Sequence, residues 1–326
     1  MTILLTGAAG FIGFHVSRAL LERGETVVGI DSLNDYYDVT LKKARLAELK
    51  KYDNFHFEHL DITDRDAMMA LPGKYSEADR VIHLAAQAGV RYSLTHPFSY
   101  GDTNLIGHLT ILEMCRNMKN MKHLVYASSS SVYGGNTKMP FSVEDRVDHP
   151  ISLYAATKKA AEMMTESYAH LYNIPATGLR FFTVYGPWGR PDMSAFIFAK
   201  AILEGKDLPV FNQGKMSRNF TYVDDVVAGT IGCLDRSPVM GETAPRHRVY
   251  NIGNDKPEEL MTFIHLIEDT LGKKGNLNLL PMQPGDVKAT VADITNTTQD
   301  LGFEPKTNIN DGIKHFINWY KEYYNV

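Results

Sequence analysis

Short apolar runs alternate with longer amphipathic stretches through the first half of the chain. Ile3–Leu5, Thr26–Ile30, Phe55–His59, Arg80–Leu84, His123–Ala127 and Ala176–Phe181 predict strands. Ile12–Arg23, Leu41–Lys51, Asn104–Met118 and Leu153–Tyr172 predict helices between them. Repeated strand–helix alternation predicts a parallel sheet covered by helices on both faces, with right-handed crossovers. The predicted fold class is therefore α/β, a doubly wound parallel sheet. Past about residue 182 the pattern loosens into Gly/Pro-rich turns at Tyr185–Asp192, Asn212–Lys215 and Met282–Asp286, and two helical patterns, Glu258–Leu271 and Ile309–Tyr324, close the chain. This predicts a nucleotide-binding domain over 1–181 and a smaller α/β substrate domain over 182–326. Val249–Ile252 reads as one more strand of the main sheet, so the two are expected to interleave, with 223–252 returning to the first.

Composition narrows the picture. The 326 residues can bury a full core without disulfides or metal staples. Net charge is 34 − 38 = −4 with no basic block, so neither nucleic acid nor an anionic membrane is an expected partner. Cys115 and Cys233 stand alone and read as small buried hydrophobes in a reducing cytoplasm. No run reaches the roughly 18 apolar residues of a membrane span. Ile3–Phe14 has no preceding Lys or Arg and contains three glycines, unlike a signal peptide; the expected location is cytoplasmic. The twelve histidines show no ligand spacing, so no metal is expected.

The first chemical signal is Thr6-Gly7-Ala8-Ala9-Gly10-Phe11-Ile12-Gly13, between the first strand and the first helix. Glycines at 7, 10 and 13 suit a tight turn, close backbone approach to a pyrophosphate and close helix–strand packing. The helix N-terminus offers unpaired N–H groups and a favourable dipole to the phosphates. Asp31 ends the second strand, 18 residues beyond Gly13, where a carboxylate can bind ribose hydroxyls and would repel a 2′-phosphate. The expected cofactor is NAD, not NADP.

The second signal is Tyr154 and Lys158, four apart on one helical face. Chance would supply about one such pair among 17 tyrosines. The run Ser128-Ser129-Ser130-Ser131 follows the fifth strand, at the sheet edge where ligands meet parallel α/β proteins. Nucleotide glycines, a strand-end hydroxyl and Tyr-x-x-x-Lys, in that order, are far more specific together.

These residues resemble the extended short-chain dehydrogenase/reductase superfamily, of Rossmann-type fold, over essentially the whole chain. Tyr126-Ala127-Ser128-Ser129-Ser130-Ser131-Val132-Tyr133-Gly134 and Arg218-Asn219-Phe220-Thr221-Tyr222-Val223-Asp224-Asp225 are similar to its nucleotide-sugar branch. The string Arg180-Phe181-Phe182-Thr183-Val184-Tyr185-Gly186-Pro187-Trp188-Gly189-Arg190-Pro191-Asp192-Met193 most resembles the UDP-glucuronate 4-epimerases within that branch. The resemblance implies tightly bound NAD, a UDP-sugar substrate and inversion at C4 through a 4-keto intermediate. It implies Tyr154 as the base, Ser129 on the reacting oxygen, and Lys158 on the nicotinamide ribose. A tyrosine pKa near 10 is too high for this task at neutral pH, so Lys158 and the oxidised nicotinamide are expected to lower it.

Sister reactions are weighed on the same residues. By resemblance, 4,6-dehydratases carry an Asp-Glu pair where this chain has Ser130 and Ser131, and decarboxylases carry an acidic residue nearby. A uronate oxidised at C4 is a β-keto acid, and its carboxylate must be held out of alignment for CO2 loss. Thr183 and Arg190 are the candidates for that contact, with Arg91 as a rival. Resemblance further assigns Asp61 and Ile62 to adenine, Leu84, Ala85, Ala86 and Gln87 to the pyrophosphate and ribose wall, and Asn104 to the cofactor site. It assigns Arg218 and Asp286 to the UDP phosphates and ribose, and Val210 and Phe211 to the uracil strand. Gln283 stands where galactose-type epimerases have arginine, so one phosphate contact must come from elsewhere. Tyr36-Tyr37-Asp38 reads equally as an adenine-pocket edge or a surface loop, and the aromatics of Trp319–Tyr324 as a packed C-terminal helix. Family members pair through helices like Asn104–Met118 and Leu153–Tyr172, which implies a homodimer. A neutral UDP-hexose 4-epimerase, a UDP-glucuronate decarboxylase and a non-catalytic NAD-binding regulator remain the alternatives.

Overall fold

A computed structural model describes residues 1–238, 246–283 and 285–326. Its centre is a sheet of seven parallel strands: β1 (Thr2–Thr6), β2 (Thr26–Asp31), β3 (Phe55–His59), β4 (Ala78–His83), β5 (His123–Ser129), β6 (Ala176–Phe181) and the strand His247–Ile252. They lie in the order β3-β2-β1-β4-β5-β6, with His247–Ile252 outermost beside β6. The order reverses between β1 and β4, and such a reversal opens a crevice at the carboxyl ends of the strands.

Strand residues are apolar at both parities because both faces are covered. Ile3, Leu5, Val27, Ile82, Val125 and Leu179 pack into one core. Leu4, Val28, Val81 and Leu124 pack into the other, under helices Arg65–Lys74 and His108–Asn117. Cys233 belongs to the first core and Cys115 to the second, so the sheet separates two free thiols.

Past β6 the described residues make three small two-stranded pairings. Thr183–Tyr185 runs parallel to Phe220–Tyr222, and Asp207–Val210 runs parallel to Asn276–Leu279. Ser217–Arg218 runs antiparallel to Glu258–Glu259. Helix Val223–Asp235 and strand His247–Ile252 pack back on the main sheet. Helix Ile309–Tyr324 buries Ile313, Phe316, Ile317 and Tyr320, consistent with its predicted packing role.

Some elements depart from the sequence reading. The predicted helix Asn104–Met118 begins as a π-helical turn, Gly101–Gly107, before the regular helix His108–Asn117. A π segment widens the helix locally and is a recurrent functional-site feature; here it carries Asn104. Helices Arg65–Lys74, Ser194–Glu204, Val223–Asp235 and Thr295–Leu301 were not predicted. The predicted turn at Met282–Asp286 includes Pro284, which lies outside the described residues.

Candidate active site

One cavity of about 1010 Å³ runs across the carboxyl ends of the strands, from the glycine turn after β1 to Asp286. At its near end Gly7 takes a left-handed φ of +75°, and a Cβ there would lie 2.7 Å from the Ala85 backbone nitrogen. A Cβ on Gly13 would lie 2.0 Å from the Gly7 carbonyl oxygen. Only glycine allows this turn to close on helix Phe11–Glu22. No side chain caps that helix and its first turn holds no carboxylate, so the amides of Phe11, Ile12 and Gly13 stay free for an anion.

Asp31 accepts from the backbone N–H of Ala9 at 3.0 Å and of Leu33 at 2.8 Å, which fixes its carboxylate at the cavity wall. Gly7, Gly10, Phe11, Ile12, Gly13, Asp31, Asp61, Ile62, Leu84, Ala85, Ala86 and Gln87 all line this end. Asn104 does not. It is buried one layer behind, accepting from the Gln87 N–H at 2.8 Å and donating to the Gln87 carbonyl at 3.0 Å and to Thr157 Oγ1 at 3.1 Å. Its carboxamide ties the β4 loop to the helix of Tyr154, so any effect on a cofactor passes through Gln87.

The middle of the cavity holds Ser129, Tyr154 and Lys158. Ser129 ends β5 and caps the 3₁₀ turn Ser130–Tyr133, accepting from the Ser131 N–H at 3.1 Å. Tyr154 and Lys158 stand one turn apart on helix Leu153–Tyr172, whose N-terminus is capped by Ser152. Lys158 is 6% exposed, and its Nζ donates to the Ala127 carbonyl at 2.9 Å. Burial pushes its pKa down to about 8. Burial likewise raises the Tyr154 phenol above its ordinary value, against the opposing hydrogen bond of Ser129 and the charge of Arg190. The Lys158 ammonium is directed to a backbone carbonyl, so among the protein's own groups the downward pull on Tyr154 comes from Ser129 and Arg190, and the lowering expected from an oxidised nicotinamide would add to it.

Beneath these residues lies a buried network that the sequence reading missed. Ser128 Oγ donates to Glu162 Oε1 at 2.6 Å, and Arg180 grips both Glu162 oxygens at 2.8 and 2.9 Å. Arg180 also donates to the Tyr133 hydroxyl at 3.1 Å, which donates to Asn251 at 2.7 Å. Despite its burial, Glu162 is held below the usual carboxylate range by these bonds from Arg180 and Ser128. The signal was present in the sequence: Tyr154, Lys158 and Glu162 recur every fourth residue, placing them on one helix face.

At the far end, Arg91, Thr183, Arg190, Phe211, Arg218 and Asp286 line the cavity. Val210 does not; it is fully buried, and Pro209 and Phe211 form the wall on either side of it. Alternation along the strand turns every second side chain away. Arg91 donates to Asp286 at 3.2 Å and stacks 4.5 Å from the Phe211 ring centroid. Arg218 faces the same carboxylate, its pKa lowered by burial and partly restored by Asp286. Arg91 thus belongs with the Phe211–Arg218–Asp286 group, whereas Arg190 pairs with Asp192 beside Tyr36.

The loop bearing Arg190 is fastened to the nucleotide side. His15 Nε2 meets the Pro187 carbonyl at 2.9 Å. Fully buried Arg45 donates to Ala9 at 2.9 Å, Tyr37 at 2.7 Å, Trp188 at 2.6 Å and Gly189 at 3.2 Å. Tyr36 lines the cavity and reaches Asp192, so the loop after β2 is a bridge between the two ends and not a detached surface loop. Among the described residues no group of His, Cys, Asp and Glu could hold a metal ion.

A seven-stranded doubly wound sheet with a glycine turn at its reversal, and Ser, Tyr and Lys on the neighbouring strand end and helix, defines the extended short-chain dehydrogenase/reductase class. The chain belongs within it to the NAD dependent epimerase/dehydratase family, whose pattern it matches over residues 3–253. It is 54% identical, over the full length of both chains, to an uncharacterised 37.6 kDa protein of Escherichia coli O111:H-. UDP-glucuronate 4-epimerase 4 of Arabidopsis thaliana is 46% identical over 99% of this chain and 76% of the plant protein. The crystal structure of UDP-glucuronic acid 4-epimerase from Bacillus cereus, in complex with UDP-glucuronic acid and NAD, superposes with a TM-score of 0.91 at 35% identity, over 99% of this chain and 100% of that one.

Proposed function

We propose that this protein catalyses the NAD-dependent interconversion of UDP-glucuronate and UDP-galacturonate by inversion at C4. The observation that carries this reading is one continuous cavity that joins the glycine turn to Ser129, Tyr154 and Lys158 and, beyond them, to Thr183 and Arg190. A C5 carboxylate would give that arginine a charge-assisted partner, which a neutral hexose lacks. Relatives and a solved structure named for this reaction point the same way.

The near end fits NAD. The glycine cradle, which a Cβ would fill at Gly7 and Gly13, admits a pyrophosphate against the free amides of Phe11–Gly13. Asp31 would hold the adenosine ribose, Asp61 and Ile62 the adenine, Leu84–Gln87 the wall behind, and Tyr154 and Lys158 the nicotinamide ribose. When bound, NAD supplies the acceptor and donor of the C4 hydride and a positive charge beside Tyr154. The Tyr154 phenolate takes the proton of the sugar 4-OH and later returns it. Ser129 donates to O4 as it becomes a ketone, and Ser128–Glu162–Arg180 fix the strand end that carries it. Arg91, Arg218, Asp286 and Phe211 hold UDP while the ketosugar turns. Arg190 and Thr183 hold the carboxylate out of alignment for CO2 loss. Ser130 and Ser131 offer no acid–base pair for dehydration.

Pairing of two copies is part of the same proposal. Met163, 57% exposed, is open with Leu171 and Tyr172 on helix Leu153–Tyr172, and Ile106 is open on the turn Gly101–Gly107, with Phe98, 86% exposed, on the short helix Pro97–Tyr100 before it. No described helix is long and apolar enough to cross a membrane. We assign the enzyme to the cytoplasm, which suits two unpaired thiols.

The test is incubation of the purified protein with UDP-glucuronate and no added cofactor, with chromatographic separation of products. UDP-galacturonate without CO2 is the expected result. A UDP-pentose would replace the reading with decarboxylation. Conversion of UDP-glucose alone would replace it with neutral epimerisation.

A further inference from the structure

Arg190 is not free to give its whole guanidinium to a ligand. Its Nε donates to Asp192 Oδ1 at 3.0 Å and its Nη2 to Asp192 Oδ2 at 2.5 Å, so one edge of the planar fork is already engaged by a carboxylate. The Tyr36 hydroxyl donates to the same Oδ2 at 3.0 Å, and the Arg190 guanidinium lies 5.9 Å from the Tyr36 ring centroid. Asp192, Tyr36 and Arg190 all line the cavity. The loop around them is fixed by Arg45 and His15, so the pairing is part of the site wall and not a flexible surface contact.

An arginine presents two carboxylate-binding edges, one through Nε and Nη2 and one through Nη1 and Nη2. With the first engaged, a ligand meets only the second, carried by an ion pair whose net charge is zero. We propose that Asp192 is a specificity-tempering residue: it takes one edge of Arg190, so the substrate carboxylate is oriented by the other edge yet released when the sugar turns over. The inference rests on the epimerase reading above.

The chemistry requires such a compromise. Inversion at C4 demands that the ketosugar present its opposite face, and the C5 carboxylate moves with the ring. A lone arginine in a partly dry site would bind that carboxylate strongly in one orientation, and tight binding of a ground state slows the step that must leave it. An arginine half-committed to Asp192 fixes the carboxylate plane with less hold on its position. Tyr36, delivered by the loop that follows the ribose-binding Asp31, orients Asp192 against Arg190 and so connects this setting to the nucleotide end.

The test is steady-state kinetics of NAD-loaded wild type, Asp192→Asn and Asp192→Glu with UDP-glucuronate and UDP-galacturonate, alongside calorimetric binding of UDP alone. For Asp192→Asn the expected result is a KM lowered by about tenfold for both uronates with kcat lowered by at least about tenfold, because the freed arginine grips both ground states. Reduced-nicotinamide absorbance should build up during turnover as the ketosugar stalls. UDP affinity should stay as in wild type, and Asp192→Glu should restore most of kcat. Unchanged constants, or a raised KM with a lowered kcat, would overturn the proposal and leave Asp192 as a loop-shaping residue. Weakened UDP binding would do the same. If wild type converts UDP-glucuronate and Asp192→Asn matches it, only this inference fails; if wild type does not, the epimerase reading fails and takes this inference with it.

Discussion

The two ends of the cavity are made of different material. At the dinucleotide end recognition comes from the main chain: a left-handed Gly7, a Gly13 pressed on the Gly7 carbonyl, and uncapped amides of one helix. Even the carboxylate of Asp31 is set by two backbone N–H groups. At the sugar end recognition comes from charged side chains on loops far apart in sequence, with Arg91 bonded to Asp286 and Arg190 to Asp192. The first arrangement is fixed by the backbone and suits a tightly held NAD. The second is built from charged side chains already paired with one another, which suits a sugar that must be held and turned.

The sharpest way to break this contrast is Gly13→Val. The new side chain has no room beside the Gly7 carbonyl, so the protein should purify without NAD and lose turnover, while UDP binding at the far end persists. Loss of UDP binding as well, by calorimetry, would show that the ends are not independently built. Next in size is Tyr154→Phe. It should lower kcat by about 10³-fold with NAD content and melting temperature unchanged, as expected for removal of a positioned acid–base group. Near-normal turnover would take the acid–base role away from Tyr154. Arg91→Ala should raise KM for UDP-sugars by about 10- to 100-fold with little change in kcat, the effect of losing a charged hydrogen bond that ground and transition states share. A kcat effect larger than the KM effect would move Arg91 to the reacting end.

The smallest effect is on stability. Lys158 has its pKa at about 8 in the folded protein, below the ordinary lysine value of 10.5. The folded state therefore binds fewer protons than the unfolded chain between those values, so stability rises with pH across that window. Below about pH 8 the buried charge is a full cost. Lys158→Met, stripped of NAD, should be more stable than wild type by about 3 kcal/mol at pH 7, with the advantage vanishing toward pH 10.5, as differential scanning calorimetry can show. A variant less stable at pH 7 would mean that the Ala127 hydrogen bond outweighs the burial of charge.

The same contrast explains what was legible in the sequence. Backbone-built features are local, so strand, glycine turn and helix read as one motif, and the seven-stranded sheet follows from alternation. Tyr154 and Lys158 were visible because one helix holds both. Glu162 followed the same spacing and was passed over because its partners, Ser128 and Arg180, come from two other strands. The pairing of Arg91 with Asp286 spans 195 residues, and the reach of Tyr36 to Asp192 spans 156, distances across which no periodicity carries information. Asn104 and Val210 were assigned to the site from motif position alone; one proved to stand behind the wall and the other to point into the core. The π turn at Gly101–Gly107 carries Asn104 to Gln87, a tertiary bond that no local propensity encodes.

The central claim is that the atom removed from C4 returns to C4 within one site, while Arg190 and Thr183 protect the carboxylate. It is tested most directly with UDP-glucuronate deuterated at C4, incubated in ordinary water and read by NMR and mass spectrometry. The account predicts UDP-galacturonate carrying the full label at C4, no exchange with solvent and no CO2. Loss of the label to water, or a labelled UDP-pentose with release of CO2, would contradict it.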